Sequence, residues 1–167
     1  GGQYRSIYGD KLKKVTYWTE EDFKTSRVFE SDIPLDTRIL LDRYEDSDEP
    51  SKDHRELFFD IEVEVTDGFP EPSKAANKVT SIAMYTKHDG KYRVYVLGEG
   101  KDNIKDEVDI RFYSTESELL KEFLRYWIKV QPTCVTGWNT NGFDIPYLYN
   151  RLSKVLGEEF ANALSPI

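Results

Sequence analysis

The sequence has one cysteine, one methionine and two histidines in 167 residues. A lone Cys134, set in an apolar stretch, excludes an intramolecular disulfide and points to a reducing compartment. His54 and His88 lie in charged, turn-like stretches and are assigned no catalytic role. No apolar run approaches the length of a membrane span, and no charged-then-apolar signal segment opens the chain. Internal repeats and low-complexity segments are also lacking. Basic residues are in deficit: 23 Lys and Arg against 31 Asp and Glu give a net charge of −8. That balance counts against a stand-alone nucleic-acid binder, but not against an enzyme whose acidic face is neutralised by metal ions. What is present is an aromatic-rich globular composition, 38% hydrophobic and 14% aromatic, long enough for one domain or one domain with a fragment of another. The opening Gly1-Gly2, without an initiating Met, reads as a tag remnant or the start of an excised piece.

The stretch Leu57-Phe58-Phe59-Asp60-Ile61-Glu62-Val63-Glu64-Val65 organises the rest. Read as a strand, it puts Leu57, Phe59, Ile61, Val63 and Val65 on one face, able to build a core. Phe58, Asp60, Glu62 and Glu64 fall on the other. Three carboxylates at two-residue spacing, with no Lys or Arg between them, repel one another unless a cation settles there. Two readings follow: a half-exposed strand with a solvated acidic face, or a divalent-metal site for phosphate chemistry. Mg²⁺ suits the second, since it takes a few carboxylates plus substrate oxygens.

Along the chain, Val15-Thr16-Tyr17-Trp18 reads as a short strand and Thr19-Glu20-Glu21-Asp22 as a capped turn. Ser31 or Asp32 is expected to cap a helix with Pro34 in its first turn and Leu35, Ile39 and Leu40 as its apolar stripe. Residues 42–56 carry eleven charged or His side chains and read as a solvated linker, with an acidic metal tract as the alternative. Strands are expected over 79–86 and 92–97, joined by a hairpin at Lys87-His88-Asp89-Gly90. A polar loop is expected over 98–110. Ser114 or Thr115 caps a helix over 116–130, with Leu119, Leu120, Phe123, Leu124, Trp127 and Ile128 at helical spacing, closed by Pro132. Residues 134–138 form a short strand, with Trp138 and Trp127 read as core. Asn139-Thr140-Asn141-Gly142 is a loop, and a helix over 144–156 has Pro146 in its first turn and stops at Gly157. The β-β-β-α-β-α order predicts an α/β ribonuclease-H-like fold. Its fourth strand returns beside the first and brings Asp144 near Asp60 and Glu62.

At these residues the chain resembles a known family. Phe59-Asp60-Ile61-Glu62 resembles the first exonuclease motif of family B DNA polymerases, Asp-x-Glu. Gly137-Trp138-Asn139-Thr140-Asn141-Gly142-Phe143-Asp144 resembles the second, Asn-x-x-x-Phe-Asp, and Ile145 to Arg151 continue the match. The loop Asp67-Gly68-Phe69-Pro70-Glu71-Pro72 and the terminal Leu164-Ser165-Pro166-Ile167 resemble the T-even bacteriophage branch, and Ser31-Asp32-Ile33-Pro34 the family's lead-in. The likeness covers about residues 28–167. It implies a viral replicative DNA-directed DNA polymerase whose 3′–5′ proofreading exonuclease removes 3′-terminal nucleotides with two Mg²⁺ or Mn²⁺ ions.

The resemblance also implies roles. Asp60 bridges both ions, Glu62 completes one metal site and accepts a hydrogen bond from the terminal sugar, and Asp144 holds the second metal. Asp144 alone has a plainer reading, as a helix N-terminal acid facing the macrodipole. Phe69 stacks on an unpaired 3′ base or folds back onto the core. Asn139 orients substrate or caps its loop, and Phe143 packs or touches DNA. The family's third motif, Tyr-x-x-x-Asp, is not found after Asp144; Tyr44…Asp48 and Tyr85…Asp89 fit its spacing but precede Asp144, in the wrong order. The expected organisation is a lead-in segment and charged linker over 1–55 and a partial exonuclease domain over 56–167, with the polymerase domain absent and the isolated chain weakly active or inactive. Implied partners are the single-stranded 3′ end of primer DNA, the remainder of the polymerase and, through regions not present here, a sliding clamp. The implied location is the host cytoplasm. The contrasting reading is a non-catalytic scaffold or packing module of a split polymerase; another DEDD nuclease, acting on RNA, is a third.

Overall fold

A computed structural model describes residues 4–15, 17–25, 28–50, 52–66 and 68–165, without the side chain of Leu35. Two compact units emerge, Gly1–Pro50 and Ser51–Ile167. The first holds a two-stranded antiparallel ribbon, β1 (Tyr4–Arg5) and β2 (Lys11–Leu12), and helices α1 (Glu20–Lys24) and α2 (Leu35–Tyr44). Thr19 and Asp22 form a reciprocal capping box on α1, as the sequence predicts. Several expectations here are corrected. No strand forms at Val15, Tyr17 or Trp18, and Thr16 lies outside the described residues. Helix α2 is capped by Pro34, without a side-chain bond from Ser31 or Asp32, and runs three residues into the expected linker. Its Ile39 and Leu40 stay exposed.

The second unit carries β3 (Glu56–Val63), β4 (Val79–Thr86), β5 (Lys91–Leu97), β6 (Asn103–Ile104), β7 (Val108–Tyr113), α3 (Glu116–Val130), β8 (Cys134–Thr136), a π-helical turn (Thr140–Asp144), α4 (Ile145–Leu156) and α5 (Glu158–Asn162). The strands form one mixed sheet in the order β6-β7-β5-β4-β3-β8. As expected, β3, β4 and β5 meander antiparallel, and β8 returns parallel beside β3. The region read as a polar loop over 98–110 instead contains β6 and the start of β7, which pairs parallel to β5. Its alternation of Val108, Ile110 and Phe112 with Asp109 and Arg111 is the strand signal that the surrounding charge obscured.

Period-2 and period-3.6 patterns meet in one core. Leu57, Phe59 and Ile61 of β3, with Ile82 and Met84 of β4, pack under Leu119, Leu120, Phe123, Leu124 and Trp127 of α3 and Tyr147, Leu148 and Leu152 of α4. Phe59 stacks on Phe123 at 6.2 Å and meets Trp127 edge-on at 6.4 Å. Thr115 caps α3 through a box with Glu118, and Gln131 ends it in a left-handed conformation. Ile128, counted in the apolar stripe, is exposed, and so is Val65, which lies beyond the end of β3. The sheet register slips between Glu62 and Val63, so the alternation that assigned Val65 to the core no longer holds there.

Candidate functional site

Strand β3 is an inner strand for only part of its length. Parallel β8 is three residues long, and its pairing stops at Phe58↔Thr136. Beyond that rung, Asp60 and Glu62 lie on the exposed face of β3, as the alternation predicts. Glu64 is exposed too, but past the end of the strand.

Asp144 reaches the same strand from the turn that follows β8. After Thr136 the chain passes so close to β3 that a Cβ on Gly137 would lie 2.7 Å from Thr140 Oγ1 and closer still to the Phe59 carbonyl oxygen. Asn139 then adopts a left-handed φ of 56°, and its carbonyl accepts from the amides of Gly142 and Phe143. The wide π-helical turn that follows, where a loop is expected, ends on Asp144 and runs into α4 with Pro146 in its first turn. Such turns recur at functional sites because the extra residue re-aims a side chain.

The Asp144 side chain is 2% exposed. Its Oδ1 accepts from the Ile61 amide at 3.4 Å, while Oδ2 is buried without a hydrogen-bond partner, as is Thr140 Oγ1. Burial pushes the Asp144 carboxyl above the usual range; the Ile61 amide opposes this, and the Asp60 and Glu62 carboxylates add to it. Asp60 and Glu62 therefore act electrostatically on Asp144. Among the described residues, no three Asp, Glu, His or Cys side chains close into a metal-ligand group. The donors are nonetheless hard oxygens, and one of them is buried with an unused lone-pair site. That chemistry fits Mg²⁺ or Mn²⁺ better than a soft metal.

The softer site candidates separate clearly. Phe69 is 82% exposed, so it does not fold back onto the core, although its ring lies 5.4 Å from that of Phe143. Phe143 is half-buried and stacks on Tyr147 at 5.3 Å. Asn139 is exposed and makes no side-chain cap. Trp127 is core, with its indole N–H donating to the Leu164 carbonyl.

Trp138, also read as core, is instead 91% exposed. Strand alternation ends at Thr136, and Trp138 belongs to the turn-forming run Gly-Trp-Asn-Thr-Asn-Gly, a signal available in the sequence. Thr140 also went unrecognised; a loop threonine gives no sequence sign of becoming a buried, unpartnered hydroxyl. On the acidic face, Phe58 begins a cross-strand aromatic row with Tyr85 at 6.0 Å and then Tyr92 a further 4.6 Å on.

Comparison with known proteins bears on the whole chain. The family described as DNA polymerase family B, exonuclease domain, matches residues 11–164. The DNA-directed DNA polymerase of Escherichia phage RB69 is 36% identical over 98% of this chain, which covers 22% of that protein. The corresponding polymerase of Enterobacteria phage T4 is 31% identical over 64% of the chain and 15% of its own length. The DNA polymerase delta catalytic subunit of Dictyostelium discoideum is 34% identical over 90% of the chain and 14% of its length. The chain thus spans about a fifth or less of each of these relatives. With the match running through both carboxylate-bearing segments, the chain belongs to DNA polymerase family B, by way of its exonuclease domain.

Proposed function

We propose that this chain contributes the 3′–5′ proofreading exonuclease of a viral replicative DNA-directed DNA polymerase, built on a ribonuclease-H-like framework. The observation that carries the reading is Asp144: a nearly dry carboxylate with an unpartnered oxygen, raised in pKa partly by Asp60 and Glu62. In this reading the three acids repel one another in the folded chain, a cost that a bound cation would offset.

In this reading Asp60 would serve both ions, Glu62 would complete one site and accept from the 3′-terminal sugar hydroxyl, and Asp144 would hold the second ion. Paired Mg²⁺ or Mn²⁺ ions, when bound, supply an activated water and neutralise the scissile phosphate and the leaving 3′ oxygen. Phe69 gives an unpaired terminal base a face to stack on, Asn139 orients the strand, and Phe143 supports Phe69 from below. The surface for primer–template duplex, any sliding-clamp contact and a location in the host cytoplasm belong to the parent polymerase in this reading, which leaves the single-stranded 3′ end to this chain. The acidic charge of this piece agrees with basic surface lying elsewhere.

Calorimetric titration with Mn²⁺ tests it. The expected result is binding by the wild-type chain that Asp60→Ala removes. Slow or no release of the terminal nucleotide from 3′-labelled single-stranded DNA is expected from the isolated chain. Wild-type protein without Asp60-dependent Mn²⁺ binding refutes the metal site and leaves a scaffold role.

A further inference from the structure

The segment that carries Phe69 is anchored in large part by one face of α4. Between β3 and β4 the chain turns out through Gly68, at φ +66°, and returns along residues 70–78. Asn150 Nδ2 donates to the Pro72 carbonyl at 3.0 Å. Arg151 Nη1 donates to the carbonyls of Ala75 and Ala76 at 3.1 and 2.9 Å. The buried Tyr147 hydroxyl donates to the Asn77 carbonyl and accepts from the Asn77 amide. Lys154 donates to the Lys74 carbonyl.

Arg151 is itself fixed. Its Nε and Nη2 form a fork on Glu116 at 2.7 and 2.6 Å, and Glu116 also accepts from the Val79 amide where β4 begins. Pro70, next to Phe69, is buried. A phenyl ring that stays mostly in water, beside a buried proline and three residues from the first of these ties, is held out, not left loose. The helix that does the holding begins at the residue after Asp144.

We propose that Tyr147, Asn150 and Arg151 are positioning residues that fix Phe69 as a stacking shelf for the unpaired base of a 3′-terminal nucleotide, at a set distance from Asp144. This rests on the exonuclease reading above and adds to it how the base is placed. Tyr147 on one turn of α4 and Asn150 and Arg151 on the next, each bonded to a backbone carbonyl of the segment, tie the shelf to the helix that begins beside Asp144. The ligand feature recognised is the π-face of a nucleobase, without regard to its edge, so every base is accepted.

The test uses this chain in Ca²⁺ buffer. Fluorescence anisotropy compares a single-stranded oligonucleotide ending in a normal 3′ nucleotide with one ending in an abasic residue. Wild-type protein is expected to prefer the normal end roughly ten-fold, the stacking contribution of one base, and Phe69→Ala to lose that preference. Asn150→Ala removes only the Pro72 tie, and Arg151→Lys keeps charge opposite Glu116 but loses the fork. Each is expected to cut the preference several-fold, with far-ultraviolet circular dichroism unchanged and faster amide exchange over 71–78. Adding Phe69→Ala to Asn150→Ala should leave the preference no lower than Phe69→Ala alone. Faster exchange with the preference intact in both variants overturns the proposal and leaves the ties merely structural. Wild-type binding without preference for the normal end overturns the shelf alone. Wild-type protein that binds neither 3′ end overturns the exonuclease reading itself.

Discussion

Gly137→Ala is the sharpest stability test of how the site is built. The glycine lies where the chain leaves β8 and crosses β3, and an added methyl meets a backbone oxygen, that of Phe59, as well as Thr140 Oγ1 at 2.7 Å. A normal carbon–oxygen contact needs more than 3 Å, so the loop or strand must shift by the better part of an ångström. Neither moves freely: Phe59 is buried under α3, and Thr140 begins the turn that delivers Asp144. Overpacking of this kind costs about 1–3 kcal/mol. In a unit of this size that is roughly a 4–12 °C fall in Tm. Gly90→Ala is the control, because its φ of +63° brings strain while its added methyl meets no atom within 4 Å; its expected cost is about 1 kcal/mol. Differential scanning calorimetry of the three proteins, with a chelator present, reads both numbers. If Gly137→Ala melts within a degree or two of wild type, the close approach is not a constraint and the account of how Asp144 is delivered fails.

Two further outcomes follow from the charges. Asp144→Asn keeps an acceptor for the Ile61 amide and removes a buried charge whose pKa is raised. In chelator at neutral pH the variant should be more stable than wild type by about 1–2 kcal/mol, and chemical denaturation checks this. The wild-type deficit should shrink as pH falls, because the folded state binds the extra proton there. Asp89 works with the opposite sign. Burial alone would raise it, but hydrogen bonds from Arg93 and Thr86 outweigh that and hold it at about 2 instead of the usual 3.8. Its contribution is complete above pH 4 and fades as pH falls through 2, so Asp89→Asn should be less stable than wild type at pH 5 and nearly equal to it near pH 2. Urea midpoints at the two pH values decide it.

Much of this was legible because burial and periodicity agreed. Leu57, Phe59 and Ile61 alternate, the stripe of α3 repeats at helical spacing, and both produced the core they predict. Asp60 and Glu62 share an exposed face for the same reason. What failed to show was tertiary in origin. The charges around β6 and β7 disguised strands that a neighbouring parallel strand stabilises. Trp138 looked like core by composition, yet sits beyond the last ladder rung. The π-helical turn has no sequence signature apart from Gly137 and the left-handed Asn139, and it decides where Asp144 points.

One consequence of the short β8 concerns association between chains. Past Phe58 no strand among the described residues borders β3 on that side, and an unpaired strand edge is a template for another chain to add to. The Asp144 carboxylate occupies this gap by taking the Ile61 amide, so the residue assigned to chemistry also acts as an edge guard. A substitution that removes the acceptor, such as Asp144→Ala, opens a sticky border as well as emptying the site. Asparagine, which can still take the amide, is therefore the sounder choice for an inactive protein that must stay dispersed at working concentration.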